Sequence, residues 1–205
     1  PRKIPFDYEE ITIRELERLF NEGVLKRVEY SHWAAPIVVV PKKSGTVRIC
    51  ADFKTGLNDA LEMHQHPLPT PDEIFSKLNQ GAWFTQVDFA DAYLQLEMDE
   101  SSKELVTINT PKGLYQYQRL PFGVKSAPGI FQETMDNLTS GLKGCAAYLD
   151  DVIVTGTTLE EHNMNVFELF KRISDFGFRV KMDKCSFAKK EIQLRKKAKN
   201  QTQKK

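Results

Sequence analysis

Apolar positions along this chain switch between a helical and a two-residue period, and the switch points lay out its elements. Leu16, Leu19 and Phe20 share one face, so 13–21 is predicted helical, with Gly23 as its stop. The β-branched run 37–40 and the alternating stretch 46–53, with Val47, Ile49, Ala51 and Phe53 on one face, predict two strands. Pro41-Lys42-Lys43-Ser44-Gly45 has turn composition and makes them a hairpin with a basic tip. Alternation puts Arg48 and Asp52 on the face opposite the apolar set. The proline-punctuated turn His66-Pro67-Leu68-Pro69-Thr70-Pro71 leads to a short helix over 72–78, and 82–89 predicts a strand ending in acids. Extended stretches follow around 105–108 and 115–120, parted by Lys112-Gly113. Ser126 is placed as the cap of a helix with Pro128 in its first turn and Phe131, Met135 and Leu138 as its buried stripe. Apolar runs 145–149 and 152–154 flank two aspartates and predict a tight hairpin. Thr158 and Glu161 predict a capping box for a helix carrying Val166, Leu169, Phe170, Ile173 and Phe176, ended by Gly177. A last strand is expected over 178–182. Interleaved helices and hairpins imply an α+β fold rather than a doubly wound parallel sheet.

Composition narrows the class. Apolar residues make up 40% of the 205, enough for a sizeable core. No run has the length of a membrane span, and the first residues lack a signal peptide's apolar stretch, so an intracellular, non-secreted protein without a membrane partner is expected. Six of the 29 basic residues fall in 195–205, leaving 23 against 28 acids in the body. A nucleic-acid binder usually has the opposite sign. This body would need a local basic lining, or cations held on its acids. The tail 191–205 is expected to be disordered. Cys50, Cys145 and Cys185 form no CxxC pair, which argues against a disulfide framework or structural zinc. His64 and His66, without a third ligand, are expected to face solvent. His32-Trp33 is expected to pack under the hairpin, and Tyr115 and Tyr117 fit either base stacking or edge-strand packing.

Asp150 and Asp151 stand at the tip of an otherwise apolar hairpin, and Asp88 closes a strand. An uncompensated buried carboxylate costs several kcal/mol in order of magnitude, so these groups must reach water, base or metal. Three carboxylates at two strand ends could hold two magnesium ions about 4 Å apart. An Asp-rich turn explains Asp150-Asp151 alone just as well.

The order of segments separates the two. Val87-Asp88-Phe89-Ala90-Asp91-Ala92-Tyr93-Leu94-Gln95 resembles the first catalytic motif of reverse transcriptases. Leu120-Pro121-Phe122-Gly123, followed by Ala127-Pro128-Gly129-Ile130-Phe131-Gln132, resembles the LPFG…APxxFQ segment of long-terminal-repeat retrotransposons. Tyr148-Leu149-Asp150-Asp151 is similar to their YxDD box. Val38-Val39-Val40-Pro41-Lys42-Lys43 and the stretch from Arg48 to Lys54 resemble the fingers of the same enzymes. Order and spacing resemble the gypsy-like group from Arg2 to Ile192.

That resemblance implies a right-hand polymerase whose palm is an antiparallel sheet packed on helices. Fingers would span 1–63 and 96–126, and palm 64–95 and 127–190. Asp88, Asp150 and Asp151 would be catalytic and would bind two Mg²⁺ ions, with Mn²⁺ as a substitute. Lys42 or Lys43 of the hairpin tip, Arg48, Phe122 and Gly123 would meet the incoming dNTP. Tyr93 would be a steric gate against the ribose 2′-hydroxyl, or a core tyrosine. Asp52, Gln132 and Tyr148 would face template or primer, with exposed helix surface an equal alternative for Gln132. Lys184 resembles a proton donor to pyrophosphate; an exposed strand-end lysine is its alternative.

After Gln193 the resemblance stops. Leu194-Arg195-Lys196-Lys197 stands where the family continues into its primer grip, so the chain is expected to lack the primer grip, thumb and RNase H domain. Partners implied are an RNA or DNA template with primer, dNTPs, and the thumb, RNase H and integrase domains of a parent polyprotein. Two functions follow: an RNA-directed DNA polymerase with weak processivity, or a catalytically silent remnant that at most binds nucleic acid.

Overall fold

A computed structural model describes residues 2–42, 45–62 and 66–192. Helix α1 (Phe6–Asn21) is followed by strands β1 (Leu25–Val28), β2 (Ala35–Pro41) and β3 (Val47–Ala51), then helices α2 (Leu57–Ala60) and α3 (Pro71–Leu78). Strand β4 (Trp83–Asp88), helix α4 (Glu100–Lys103) and strands β5 (Thr107–Thr110) and β6 (Gly113–Tyr117) come next. Helix α5 (Ala127–Thr139), strands β7 (Cys145–Tyr148) and β8 (Asp151–Gly156), helix α6 (Leu159–Asp175) and strand β9 (Ser186–Lys189) complete the order.

Two sheets divide these strands. One runs β1-β6-β5-β2-β3, with β2 and β5 parallel and its other pairs antiparallel. The other runs β7-β8-β4-β9 and is antiparallel throughout. The fold is α+β, as the interleaving predicts. Leu16 and Leu19 of α1 bury against Ile37, Ile49 and Ile108 of the first sheet. Phe131, Met135 and Leu138 of α5 join Leu169 and Ile173 of α6 over Val87, Val152 and Val154 of the second. Ile74 and Leu78 of α3 cover Ala146 and Ile153, which alternation places on its other face. Covered on both sides, β8 is buried at every position. Tyr93 and Leu96 pack against both main cores and tie the two sheets together.

Several boundaries differ from expectation. Helix α1 begins at Phe6 because Asp7 and Glu9 suit the positive end of the helix dipole, although 6–12 carries little apolar stripe. Ser126 forms no side-chain capping bond to α5. Thr158 does accept from the Glu161 amide, but Glu161 reaches back to the Thr157 N–H at 2.7 Å, one residue beyond the predicted box. Residues 104–106 turn as a 3₁₀ segment before β5. The expected strand over 178–182 makes only the Phe89–Val180 bridge, and the strand that pairs with β4 on the side away from β8 is β9. There the Gln95 side chain replaces a neighbouring strand: it accepts from the Arg179 N–H at 2.7 Å and donates to the Arg179 carbonyl at 2.9 Å. Trp33 packs on the first core as expected, whereas His32 is exposed and stands edge-on to Tyr30. Lys43, His64 and residues 193–205 of the expected tail lie outside the described residues, whereas Ile192, at the start of that tail, packs against the Ile74–Leu78 cluster.

Candidate active site

Asp88 ends β4 directly opposite Asp151, the first residue of β8. Residues facing each other across an antiparallel pair point to the same side, so register alone aligns these two carboxylates. A one-residue slip would turn one of them over and exchange the side chains that β8 presents to the two cores covering it. Asp151 is only 7% exposed, whereas Asp88 and Asp150 both line a cleft of about 760 Å³ between the two sheets. Two cleft-facing carboxylates are oxygen donors of the kind magnesium takes, with water or phosphate completing the shell. Among the described residues, no three acids, histidines or cysteines are gathered closely enough to hold an ion unaided.

The turn that presents Asp150 is held from behind. Leu149 has φ +53°, a left-handed conformation unusual for a bulky side chain but suited to a two-residue hairpin. Its N–H donates to Gln132 Oε1 at 2.8 Å, and Gln132 Nε2 donates to the Ala147 carbonyl at 3.1 Å, bracketing Tyr148. Gln132 is fully buried, so it is neither exposed helix surface nor free to meet a template.

The opposite wall comes from the β2–β3 hairpin. Lys42 and Arg48 line the same cleft as the acids, and the Arg48 guanidinium lies 5.2 Å from the centroid of the Phe122 ring. Tyr93 stands edge-on to Phe122 at 4.9 Å and to Phe131 at 5.0 Å. It is thus at once a packed core residue and a cleft wall. Burial, with the Asp150 charge as the smaller cause, pushes its phenol up to about 12, so it is neutral at physiological pH. Lys184 reaches the cleft from the 3₁₀ turn Met182–Lys184.

Other predicted residues fall elsewhere. Asp52 pairs with Arg2 at 2.6 Å. Gly123 has φ +99°, and a Cβ there would come within 2.9 Å of the Ala51 carbonyl, so the glycine is required by the protein's own backbone. Tyr148 packs toward the Ile74–Leu78 cluster. Tyr117 is buried in the first core, and Tyr115 meets Phe20 edge-on. His66 does not simply face solvent: its Nε2 lies 2.7 Å from Asp136 Oδ2. Three charged cleft residues were missed, Asp91, Lys181 and Asp183. The Lys181 N–H donates to the Asp88 carbonyl at 2.8 Å, which ties this segment to the first acid. Charged residues in loops give no periodic signal that could have marked them. All three cysteines are free thiols, and the Asp88 N–H points at Cys185 Sγ at 3.4 Å. Among the described residues no helix is long and apolar enough to cross a membrane.

Residues 40–195 match the protein family described as Reverse transcriptase (RNA-dependent DNA polymerase). An uncharacterized protein of Caenorhabditis elegans is 48% identical over 93% of this chain, and the retrovirus-related Pol polyprotein from transposon 297 of Drosophila melanogaster 36% over 86%. The chain spans 15% and 17% of their respective lengths. Among solved structures, the foamy viral protease-reverse transcriptase in complex with double-stranded DNA superposes with a TM-score of 0.87 at 20% identity, covering 94% of this chain and 34% of that one. The same enzyme in complex with an RNA/DNA hybrid gives 0.83 over 91% of this chain and 25% of that one.

Proposed function

Because the chain belongs to the reverse transcriptase (RNA-dependent DNA polymerase) family, we propose that it adds deoxynucleotides to a primer 3′-hydroxyl on an RNA or DNA template, as the fingers and palm of a gypsy-like retrotransposon polymerase. One observation carries this: a single cleft joins Asp88 and Asp150 from the second sheet to Lys42 and Arg48 from the first. On this reading the fingers would be 1–63 and 96–126 and the palm 64–95 and 127–190; most members of the first core fall in the former ranges and most of the second in the latter, while Tyr93, Leu96 and Ala127 lie across the boundary.

In the reaction the primer 3′-oxygen attacks the α-phosphorus, its proton leaves, and the bond to the β-phosphate breaks to release pyrophosphate. Magnesium, or manganese in its place, would be held by Asp88 and Asp150 with Asp151 beside them, and supplies charge neutralisation of the triphosphate and activation of the hydroxyl. The chain's own groups do the rest. Lys42 and Arg48 balance phosphate charge, and Arg48 is oriented by the Phe122 face. Phe122 floors the nucleotide and Tyr93 crowds its C2′, favouring deoxyribose. Lys184 gives a proton to the departing pyrophosphate. Asp52 and Tyr148, both partly exposed, are left for the template side. The three free thiols favour an intracellular setting, and the remaining partners are the other domains of a Pol polyprotein.

Single-nucleotide incorporation on poly(rA)·oligo(dT) with magnesium tests this, comparing the chain with Asp150→Asn. Incorporation by the chain and its loss in the variant are expected. Equal incorporation by both removes the role of Asp150. No incorporation by either, with nucleic-acid binding retained, favours a catalytically silent nucleic-acid binder.

A further inference from the structure

The amide that holds the Asp150 turn is itself held. Gln132 can face Leu149 with its oxygen or its nitrogen, and only the oxygen can accept the Leu149 N–H. Its own packing does not choose between them, because the two ends of the amide have nearly the same shape. The choice is made by the Leu149 N–H on the oxygen side together with what surrounds the nitrogen. Nε2 donates to the Ala147 carbonyl at 3.1 Å and to Asp136 Oδ1 at 3.0 Å, and an ionised carboxylate accepts only. The other oxygen of Asp136 lies 2.7 Å from His66 Nε2. A continuous chain therefore runs from His66, before α3, through Asp136 and Gln132 of α5, to the turn between β7 and β8.

Resting on the polymerase reading above for its catalytic part, we propose that Asp136 and His66 are positioning residues for the Asp150 carboxylate, acting through Gln132. Neither touches the cleft. Their work is to keep the Gln132 carbonyl toward Leu149, so that the left-handed Leu149 holds Asp150 at one orientation beside Asp88. Side-chain exposures of 36% for Asp136 and 25% for His66 mean that isosteric changes there leave the core intact.

The test uses the whole chain and two readouts. The first is amide hydrogen exchange at Leu149, followed by NMR, which needs no activity. Asp136→Asn is expected to speed it by about tenfold, the effect on local opening of weakening one hydrogen bond to a charged group, with the Val152 and Val154 amides unchanged. The second is the magnesium concentration giving half-maximal single-nucleotide incorporation, expected to rise about tenfold while the KM for dNTP holds. His66→Gln should move both in the same direction by less, and Asp136→Glu should restore both toward wild type. Unchanged Leu149 exchange in Asp136→Asn overturns the proposal. So does faster exchange without any change in magnesium requirement, since the chain would then serve folding only. Should the unaltered chain show no Asp150-dependent incorporation, the polymerase reading fails, and exchange at Leu149 still decides whether this chain of bonds sets the turn.

Discussion

The two walls of the cleft are built on opposite plans. Its acids stand at the end of a sheet whose central strand β8 is buried at every position, so their mutual placement follows from core register. The cations facing them, Lys42 and Arg48, stand on the β2–β3 hairpin, where β3 is an edge strand and Arg48 is exposed. On the proposed function, carboxylates that share an ion need fixed separation, and burial of the strands that carry them provides it; cations that meet a flexible triphosphate need reach and charge, which an exposed hairpin provides. Function and stability should therefore couple differently on the two sides.

Asp88→Asn should show the largest effect. Asp88 is half-buried at the very end of β4, so the change alters charge and leaves packing alone. Incorporation should fall by about 10³-fold, roughly 4 kcal/mol of transition-state stabilisation, with no change in melting temperature. A fall in melting temperature alongside activity would mean that register and chemistry are not separable here. Met135→Ala tests the supporting core of the same wall. Met135 is fully buried, and its loss should cost about 3 kcal/mol, a drop of about 9 °C in thermal melting followed by circular dichroism. Little change would show that the palm core does not hold the acids by packing.

On the fingers wall, Arg48→Ala should leave the melting temperature alone and raise the KM for dNTP about tenfold, near 1.4 kcal/mol. The rise should shrink at high salt, because an exposed charge is screened. Arg48→Lys should recover only part of it, since an ammonium keeps the charge but loses the planar stack on Phe122. Unfolding of either variant would break the contrast between the walls.

Segments that repeat with a period, or match a chemical motif, were legible in the sequence. The α5 stripe of Phe131, Met135 and Leu138, the alternation through 47–53 and the Asp150-Asp151 hairpin all stand as expected. Seven predicted residues, from Lys42 and Arg48 to Lys184, meet in one cleft. What was illegible is mostly polar and long-range. Gln132 looks like surface because glutamine usually is, and only its three bonds across to Ala147, Leu149 and Asp136 reveal a buried role. Gln95 likewise substitutes for a strand at Arg179, which no periodicity could announce. Apolar alternation at Phe178 and Val180 suggested a strand because packing against a core and pairing in a ladder leave the same trace.

The smallest effect separates the walls by pH. The palm-side helices α3 and α6 open with side-chain caps at Thr70 and Thr158, whereas α1 starts at Pro5 without one. Thr70 N–H and hydroxyl bonds lower the Glu73 pKa, and Thr157 hydroxyl and N–H bonds lower that of Glu161. A carboxylate depressed on folding contributes fully above its unfolded pKa, roughly 4.3, and that contribution is lost as pH falls through the lower folded value. Acid should therefore loosen the starts of α3 and α6. Glu161→Gln should lessen the fall in melting temperature between neutral pH and pH about 3.5, because its contribution is already gone at neutral pH. Thr158→Ala should cost about 1 kcal/mol at neutral pH by removing the cap itself. Hydrogen-exchange protection factors at the first-turn amides of α6 and α1, each taken against the intrinsic rate at the same pH, provide the comparison: acid should lower the former more, and an equal response would show that these caps do not distinguish the two sides of the cleft.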